Sequence, residues 1–318
     1  MSRLPQAIAR RLVLPLIAAP MLRVSGPDLV VAAAREGVIG AFPTKNARTA
    51  EELDAWCGDI RARLADADDA APFCPNLIMR DARLAEDLAI VARHGAEVVI
   101  TSVGSPAPAV AALHDAGCLV LADVASLRHA ERAIEAGADG LILLTAGAGG
   151  QTGWLNPFAY VRAVRGMFDG IVVLAGGVSD GRSLAAATTL GCDLAYMGTA
   201  FIATAESVAS DAYKAMLVDA SMDDVMLTSS VTGLPANMLR PSIEAAGLDA
   251  ARLDESISEA RARERFGGGA EGPRRWADIW SAGHSVSGVS EVMSAADLIA
   301  RTRTEYEDAL AAQAKALG

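Results

Sequence analysis

Five times along this chain a helical stretch ends in glycine and an aliphatic run follows at once: Arg-Glu-Gly37, Arg-His-Gly95, His-Asp-Ala-Gly117, Glu-Ala-Gly137 and Thr-Leu-Gly191. Glycine just past a helix takes the left-handed cap that a Cβ would penalise, and a basic side chain nearby suits the helix dipole. Each phrase therefore marks a helix end and a strand start. The spacing, about 25 residues, is near the repeat of a (β/α)8 barrel. Aliphatic runs at 16–19, 38–42, 74–78, 97–101, 118–122, 140–144, 171–175 and 194–197 supply eight candidate strands between Ala-rich helical stretches. That alternation is the pattern of repeated βα units, and an α/β TIM barrel is the expected fold.

After residue 205 the rhythm stops. Helical stretches at 211–217, 242–246 and 254–266 precede a Gly-rich run, Phe266-Gly-Gly-Gly-Ala-Glu-Gly-Pro273, and 290–317 reads as one more amphipathic outer helix. The expected division is a barrel over 1–204 and 286–318, with 205–285 a helical lid that binds substrate at the barrel mouth.

Composition narrows the partners. At 318 residues and 52% hydrophobic, with only 4% aromatic, the chain can bury a large aliphatic core. A net charge of −11 argues against nucleic acid, which needs a basic face, and no polybasic patch suits a membrane surface. Cys57, Cys74, Cys118 and Cys192 form no CxxC pair and no ligand spacing with His, the mark of reduced thiols in a cytoplasmic protein. The apolar run within 9–21 resembles a short signal segment. Pro15 interrupts it and Pro20 sits where cleavage would fall, so a strand is the better reading.

Barrel chemistry gathers at the C-terminal ends of the strands. After the seventh candidate strand comes Ala175-Gly-Gly-Val-Ser-Asp-Gly181, and after the eighth Met197-Gly-Thr-Ala-Phe201. Two Gly-rich strand-to-helix turns side by side present free backbone N–H groups to one point, a phosphate grip. No HxH, HExxH or acidic triplet offers a metal site, and no strand ends in a lysine placed for a Schiff base. With few titratable groups at the mouth, a phosphate-bearing cofactor should carry the chemistry. FMN fits, with its phosphate at these two turns.

These motifs resemble the nitronate monooxygenase (2-nitropropane dioxygenase) family, which includes flavin-dependent enoyl-thioester reductases. Ala18-Ala-Pro-Met21 is similar to its opening strand, Asn76 to a polar cofactor contact, and Ser102-Val-Gly-Ser-Pro106 to its fourth-strand loop. Gly137-Ala-Asp-Gly140, leading into Ala146-Gly-Ala-Gly-Gly-Gln-Thr-Gly153, is similar to its strand-six signature. The resemblance implies cofactor contacts at Ala19, Pro20, Met21, Asn76, Asp123, Ala148, Gly149, Gly176, Gly177, Gly198 and Thr199.

Two departures bear on function. The signature usually carries a His that deprotonates a nitroalkane; here the position is Gln151, and an amide is no general base. Asp123 stands where some relatives carry Lys. In the C-terminal segment, Trp280-Ser-Ala-Gly-His284 resembles a stretch that usually reads Ala-Gly-Gln, so His and Gln look exchanged between the two loops. His284 and Gln151 are the catalytic candidates. Ser102, Trp154, Arg274 and Arg275 are candidates for substrate binding, the arginines toward an anionic tail such as a CoA phosphate.

The leading expectation is oxidation of an alkyl nitronate or similar stabilised carbanion with oxygen. The alternatives are reduction or desaturation of an acyl-CoA or enoyl thioester, and a barrel that binds FMN without catalysis. A reduced nicotinamide could dock over the flavin, although no dinucleotide fingerprint is present. A homodimer would be unsurprising.

Overall fold

A computed structural model describes residues 3–67, 69–267 and 273–317. Strands β1 (Leu16–Ala18), β2 (Ile39–Pro43), β3 (Phe73–Ile78), β4 (Val98–Ser102), β5 (Leu119–Val124) and β6 (Gly140–Leu144) pair in sequence. A two-residue strand outside the barrel, β7 (Gly150–Gln151), comes next, and β8 (Ile171–Ala175) and β9 (Leu194–Met197) complete the ring. β9 pairs parallel with β1, Ala18 opposite Met197, so the sheet is a closed eight-stranded (β/α)8 barrel. The five cap glycines have φ of +73, +64, +79, +88 and +107° at Gly37, Gly95, Gly117, Gly137 and Gly191, as the repeated phrase requires.

Alternation along the strands decides what meets inside. Cys74, Ile100, Leu121 and Leu194 belong to the aliphatic interior, together with Ile17, Ile39, Ile142 and Val173. Side chains two residues further along a strand point the same way. That places Asn76, Ser102, Asp123 and Tyr196 one layer higher, at the C-terminal mouth. The outer faces of the strands pack against the helices.

The helix Ala295–Leu317 closes the outer ring against the helix Gly181–Leu190. Contact is so close that a Cβ on Gly181 would lie 2.1 Å from the Tyr306 nitrogen, and the Gly181 N–H donates to Glu305 Oε2 at 3.0 Å. Asp180 caps that inner helix through Ser183, and Glu206 accepts from the Ala295 N–H at 2.9 Å, capping the last one.

The stretch expected to be a purely helical lid is not. Besides the helices Asp211–Asp219, Arg240–Ala245 and Glu259–Phe266, it holds an antiparallel hairpin of β10 (Val225–Thr228) and β11 (Ala236–Leu239). β11 also pairs with β7, Ala236 opposite Gln151 and Asn237 opposite Gly150. Four-residue apolar runs do not distinguish strand from helix by periodicity, and the register is set by a distant loop. The last of these helices begins at Glu259, because the Ser258 side chain accepts from the Arg261 N–H and stops it there. Val231, Met238, Ile243, Phe266 and Ile279 give the segment a small core of its own. Residues 268–272 of the Gly-rich run lie outside the described residues.

Candidate active site

A cavity of about 920 Å³ opens over the C-terminal ends of the barrel strands. Its floor is the polar layer at the mouth. Asn76 Nδ2 donates to Ser102 Oγ at 3.0 Å, so these two fix each other. Asp123 and Tyr196 have no such partner: Asp123 Oδ1 and the Tyr196 hydroxyl are both buried without a hydrogen bond. Burial pushes the Asp123 carboxyl up to about 7. It also holds the Tyr196 phenol well above its ordinary value, with the Asp123 charge and then Cys74 adding to the effect.

One wall is built from the two Gly-rich turns. Gly176 has φ +122° and admits no side chain, since a Cβ there would lie 2.5 Å from Thr145 Oγ1. The backbone N–H groups of Gly177, Gly198 and Thr199 find no acceptor among the described residues. Such orphan donors are costly unless a ligand takes them. Beside them run Ala19, Pro20 and Met21, with the Met21 carbonyl accepting from Asn46 Nδ2 at 2.9 Å.

The loop after β6 supplies the facing wall. The Ala148 carbonyl accepts from Asn237 Nδ2 at 2.7 Å, which ties the loop to the hairpin. Gly149 approaches Gly283 so closely that a Cβ would stand 2.7 Å from the Gly283 nitrogen, and the Gly283 N–H donates to Thr199 Oγ1 at 3.0 Å. Gln151 lies half-buried on the cavity wall, its backbone held in register by β11. Trp154 stands at the rim, 78% exposed. Val103 and Trp276, both lining the cavity, have φ of +55 and +65°, strained conformations for such side chains.

Two expected site residues face elsewhere. The His284 N–H donates to the Gly147 carbonyl at 2.9 Å, and its ring lies against Gly147, with Nδ1 only 2.7 Å from where a Cβ would be. The ring packs against Gly147, and His284 is not among the residues lining the cavity. Arg274 is exposed and turned away, its guanidinium forked onto Asp278 at 2.9 Å through both Nε and Nη2. Its neighbour Arg275 does line the cavity, half-buried.

The sequence reading missed Tyr196, Arg263 and the Tyr213–Trp280 stack, whose ring centroids are 5.0 Å apart. Tyr196 was within reach of strand alternation, two residues beyond Leu194 and two before Gly198. Arg263 lies on the cavity with Arg275, and neither makes a side-chain hydrogen bond or ion pair among the described residues. Burial and then the Arg263 charge pull Arg275 below its usual value, with the Glu259 charge acting the other way. Arg80 at the same rim meets Glu259 at 3.4 Å. Among the described residues, no group of three or more His, Cys, Asp or Glu is placed to hold a metal ion, and no helix is long and apolar enough to cross a membrane.

A barrel with this mouth belongs with the oxidoreductases whose family model, nitronate monooxygenase, matches residues 83–304. The chain is a member of that family. It is 30% identical over 235 residues to the (3aS,4S,5R,7aS)-5-hydroxy-7a-methyl-1-oxo-octahydro-1H-indene-4-carboxyl-CoA dehydrogenase of Mycobacterium tuberculosis (strain ATCC 25618 / H37Rv). That match covers 72% of this chain and 64% of the dehydrogenase, so the chain spans a little under two thirds of that relative. The nitroalkane oxidase from Streptomyces ansochromogenes superposes with a TM-score of 0.77 at 26% identity, over 96% of this chain and all of that one. FabK from Thermotoga maritima superposes with a TM-score of 0.83 over 99% of each chain, but at 24% identity it speaks for the fold alone.

Proposed function

We propose that this chain is an FMN-dependent oxidoreductase that exchanges two electrons with an acyl thioester of coenzyme A, residues 205–285 forming the lid that binds the substrate. The observation that carries the reading is the pair of guanidinium groups, Arg263 and Arg275, on the cavity that ends at the polar floor, neither held in a hydrogen bond or ion pair among the described residues. Half-buried Arg275 is held below its usual value by burial and then by the Arg263 charge, only partly offset by Glu259, and a bound anion would relieve it. Arginine forks suit the phosphates of a nucleotide tail. An alkyl nitronate has no tail to reach them.

FMN suits the chain's own donors. The orphan N–H groups of Gly177, Gly198 and Thr199 would hold its phosphate, and Met21, Asn76 and the floor would meet its ring. When bound it supplies the two-electron chemistry. The chain's part is to bind, orient and keep out water. Gln151 donates its amide N–H to the thioester carbonyl and removes no proton. Trp276 and Trp280 cover the reacting end. The named CoA substrate of the mycobacterial relative supports this class.

A second reading, nitronate oxidation, draws support from the family and from Gln151. A nitronate is already deprotonated, so a wall with a hydrogen-bond donor and no histidine base could still serve it.

The two separate in one anaerobic titration of the FMN-loaded protein. Acyl-CoA or enoyl-CoA esters should bleach or reoxidise the flavin, and changing both Arg263 and Arg275 to Ala should weaken CoA-ester binding by about 10- to 100-fold, as loss of charged hydrogen bonds implies. The corresponding pantetheine thioester, lacking the nucleotide, should bind the variant and the parent alike. Bleaching by a small alkyl nitronate alone would establish the second reading instead. A protein that takes up no FMN would refute both.

A further inference from the structure

Asp123, half-buried on the cavity with one oxygen enclosed, is unlike other enclosed or half-buried carboxylates among the described residues. Asp193 accepts from the Val172 N–H at 2.9 Å and pairs with Arg165, and Asp87 meets Arg83 at 3.2 Å. Asp139 accepts from the Val120 N–H at 2.8 Å and faces His114. Asp123 makes no hydrogen bond or ion pair with any described residue, and one of its oxygens is shut away from water. It lies on the cavity floor, where no scaffold demands a carboxyl group.

Its surroundings leave it a proton. A buried unpaired carboxylate is costly by several kcal/mol, and a group so placed neutralises instead. The flanking strands β4 and β6 bring no titratable side chain. Across the barrel the titratable groups are Tyr196 from β9 and Cys74 from β3, both of which burial keeps protonated. Either one, ionised, would add like charge. His129 and Arg132 line the same cavity, but among the described residues no arginine, lysine or histidine offsets the Asp123 charge.

We propose that Asp123, on the cavity floor, is the proton-carrying group of this site, taking a proton from solvent when negative charge arrives on the cofactor above it and releasing it when that charge leaves. The inference rests on the FMN reading but not on the choice of substrate. Two electrons and one proton delivered to bound FMN leave one negative charge more in the cavity. A second proton, drawn from water, then forms the O–H bond of Asp123 and balances it. Burial already holds this carboxyl at about 7. At pH 8 it is therefore largely ionised before reduction and can take the proton, whereas at pH 5 it already carries one.

The test counts protons. FMN-saturated wild type and Asp123→Asn are reduced coulometrically in weakly buffered solution containing a pH indicator. At pH 8 the wild type should take up close to one proton more per electron pair than the variant, and at pH 5 the two should agree. Equal uptake at pH 8 with full FMN occupancy overturns this inference and leaves the FMN reading intact. Failure of the wild type to bind FMN overturns both. A second measurement needs no variant: in wild-type protein with ¹³C-carboxyl aspartate, one carboxyl carbon should titrate near neutrality. If every aspartate titrates in the acid range, the inference is also overturned.

Discussion

Replacing Asp123 with Asn should stabilise the cofactor-free protein by an amount that grows with pH. The fold raises this carboxyl from 3.8 to about 7. A raised acid favours its neutral form in the native state, so its contribution is intact below about pH 4 and is lost as pH climbs toward 7. Each unit of the interval is about 1.4 kcal/mol. At pH 5 little more than one unit has been crossed, a deficit of roughly 1–2 kcal/mol; at pH 8 the whole interval has been crossed, a deficit of roughly 4 kcal/mol. Asparagine has nearly the same volume, carries no charge, and forfeits no protein hydrogen bond, because Asp123 makes none among the described residues.

The assay is urea unfolding of wild type and Asp123→Asn at pH 5, 6, 7 and 8 in the absence of FMN. The difference between the two proteins should widen by about 2–3 kcal/mol from the first to the last, with the slope of ΔG against pH flattening above 7. A difference that stays constant across this range, or a variant less stable at pH 8, would refute the reasoning. Either would mean that the carboxylate is solvated or paired on the cavity floor.

Four further outcomes follow from the same contacts. Asp193→Asn, which weakens the hold on the Arg165 guanidinium and the Val172 N–H, should destabilise by about 3 kcal/mol in urea unfolding at both pH 5 and pH 8. Gly149→Ala drives a methyl to 2.7 Å from the Gly283 nitrogen; it should lose about 2 kcal/mol of stability and weaken FMN binding measured by flavin fluorescence, and no change in either quantity contradicts the packing. Trp154→Ala, at an exposed rim position, should change stability by less than about 0.5 kcal/mol while raising the Kd of a long acyl thioester. Arg275→Ala should weaken CoA-ester binding about 10-fold, whereas Arg274→Ala, already committed to Asp278, should leave it unaltered in calorimetric titration.

The barrel was legible because its signal is local and repeated. A cap glycine needs a positive φ whatever lies around it, and five such glycines at a near-constant spacing leave few alternatives to a (β/α)8 ring. The polar floor was half legible. Asn76, Ser102 and Asp123 stand at strand ends, where a barrel keeps its chemistry, and Tyr196 required only the two-residue alternation to be carried one strand further. The hairpin was not legible: β10 and β11 are four residues each, and what holds β11 is a pair of residues some eighty positions earlier, Gly150 and Gln151. His284 is a different case: a histidine in a Gly/Ser loop reads as ligand-facing, but the sequence cannot say that its backbone N–H is taken by the Gly147 carbonyl and that its ring lies against Gly147.

The arrangement of charge in the cavity constrains how any substrate can lie in it. Arg263 and Arg275 stand at the rim without an ion pair among the described residues, while the ionisable groups of the floor, Asp123 and Tyr196, become negative when they lose a proton. An anionic tail is drawn to the rim and repelled from the floor, so a tailed substrate enters with its neutral end inward. The acyl carbonyl then meets Gln151 rather than a second cation, and no protein base waits beside it. With the carbonyl polarised only by an amide, the site cannot stabilise a full enolate on its own, and charge that develops on the inner end must be matched by a proton. On the proposed reading the group placed to accept one is Asp123, and reversing the charge at the rim with Arg275→Glu should abolish binding of a CoA ester in calorimetric titration even where the barrel still folds. Binding that survives this reversal would show that the tail takes another path out of the cavity.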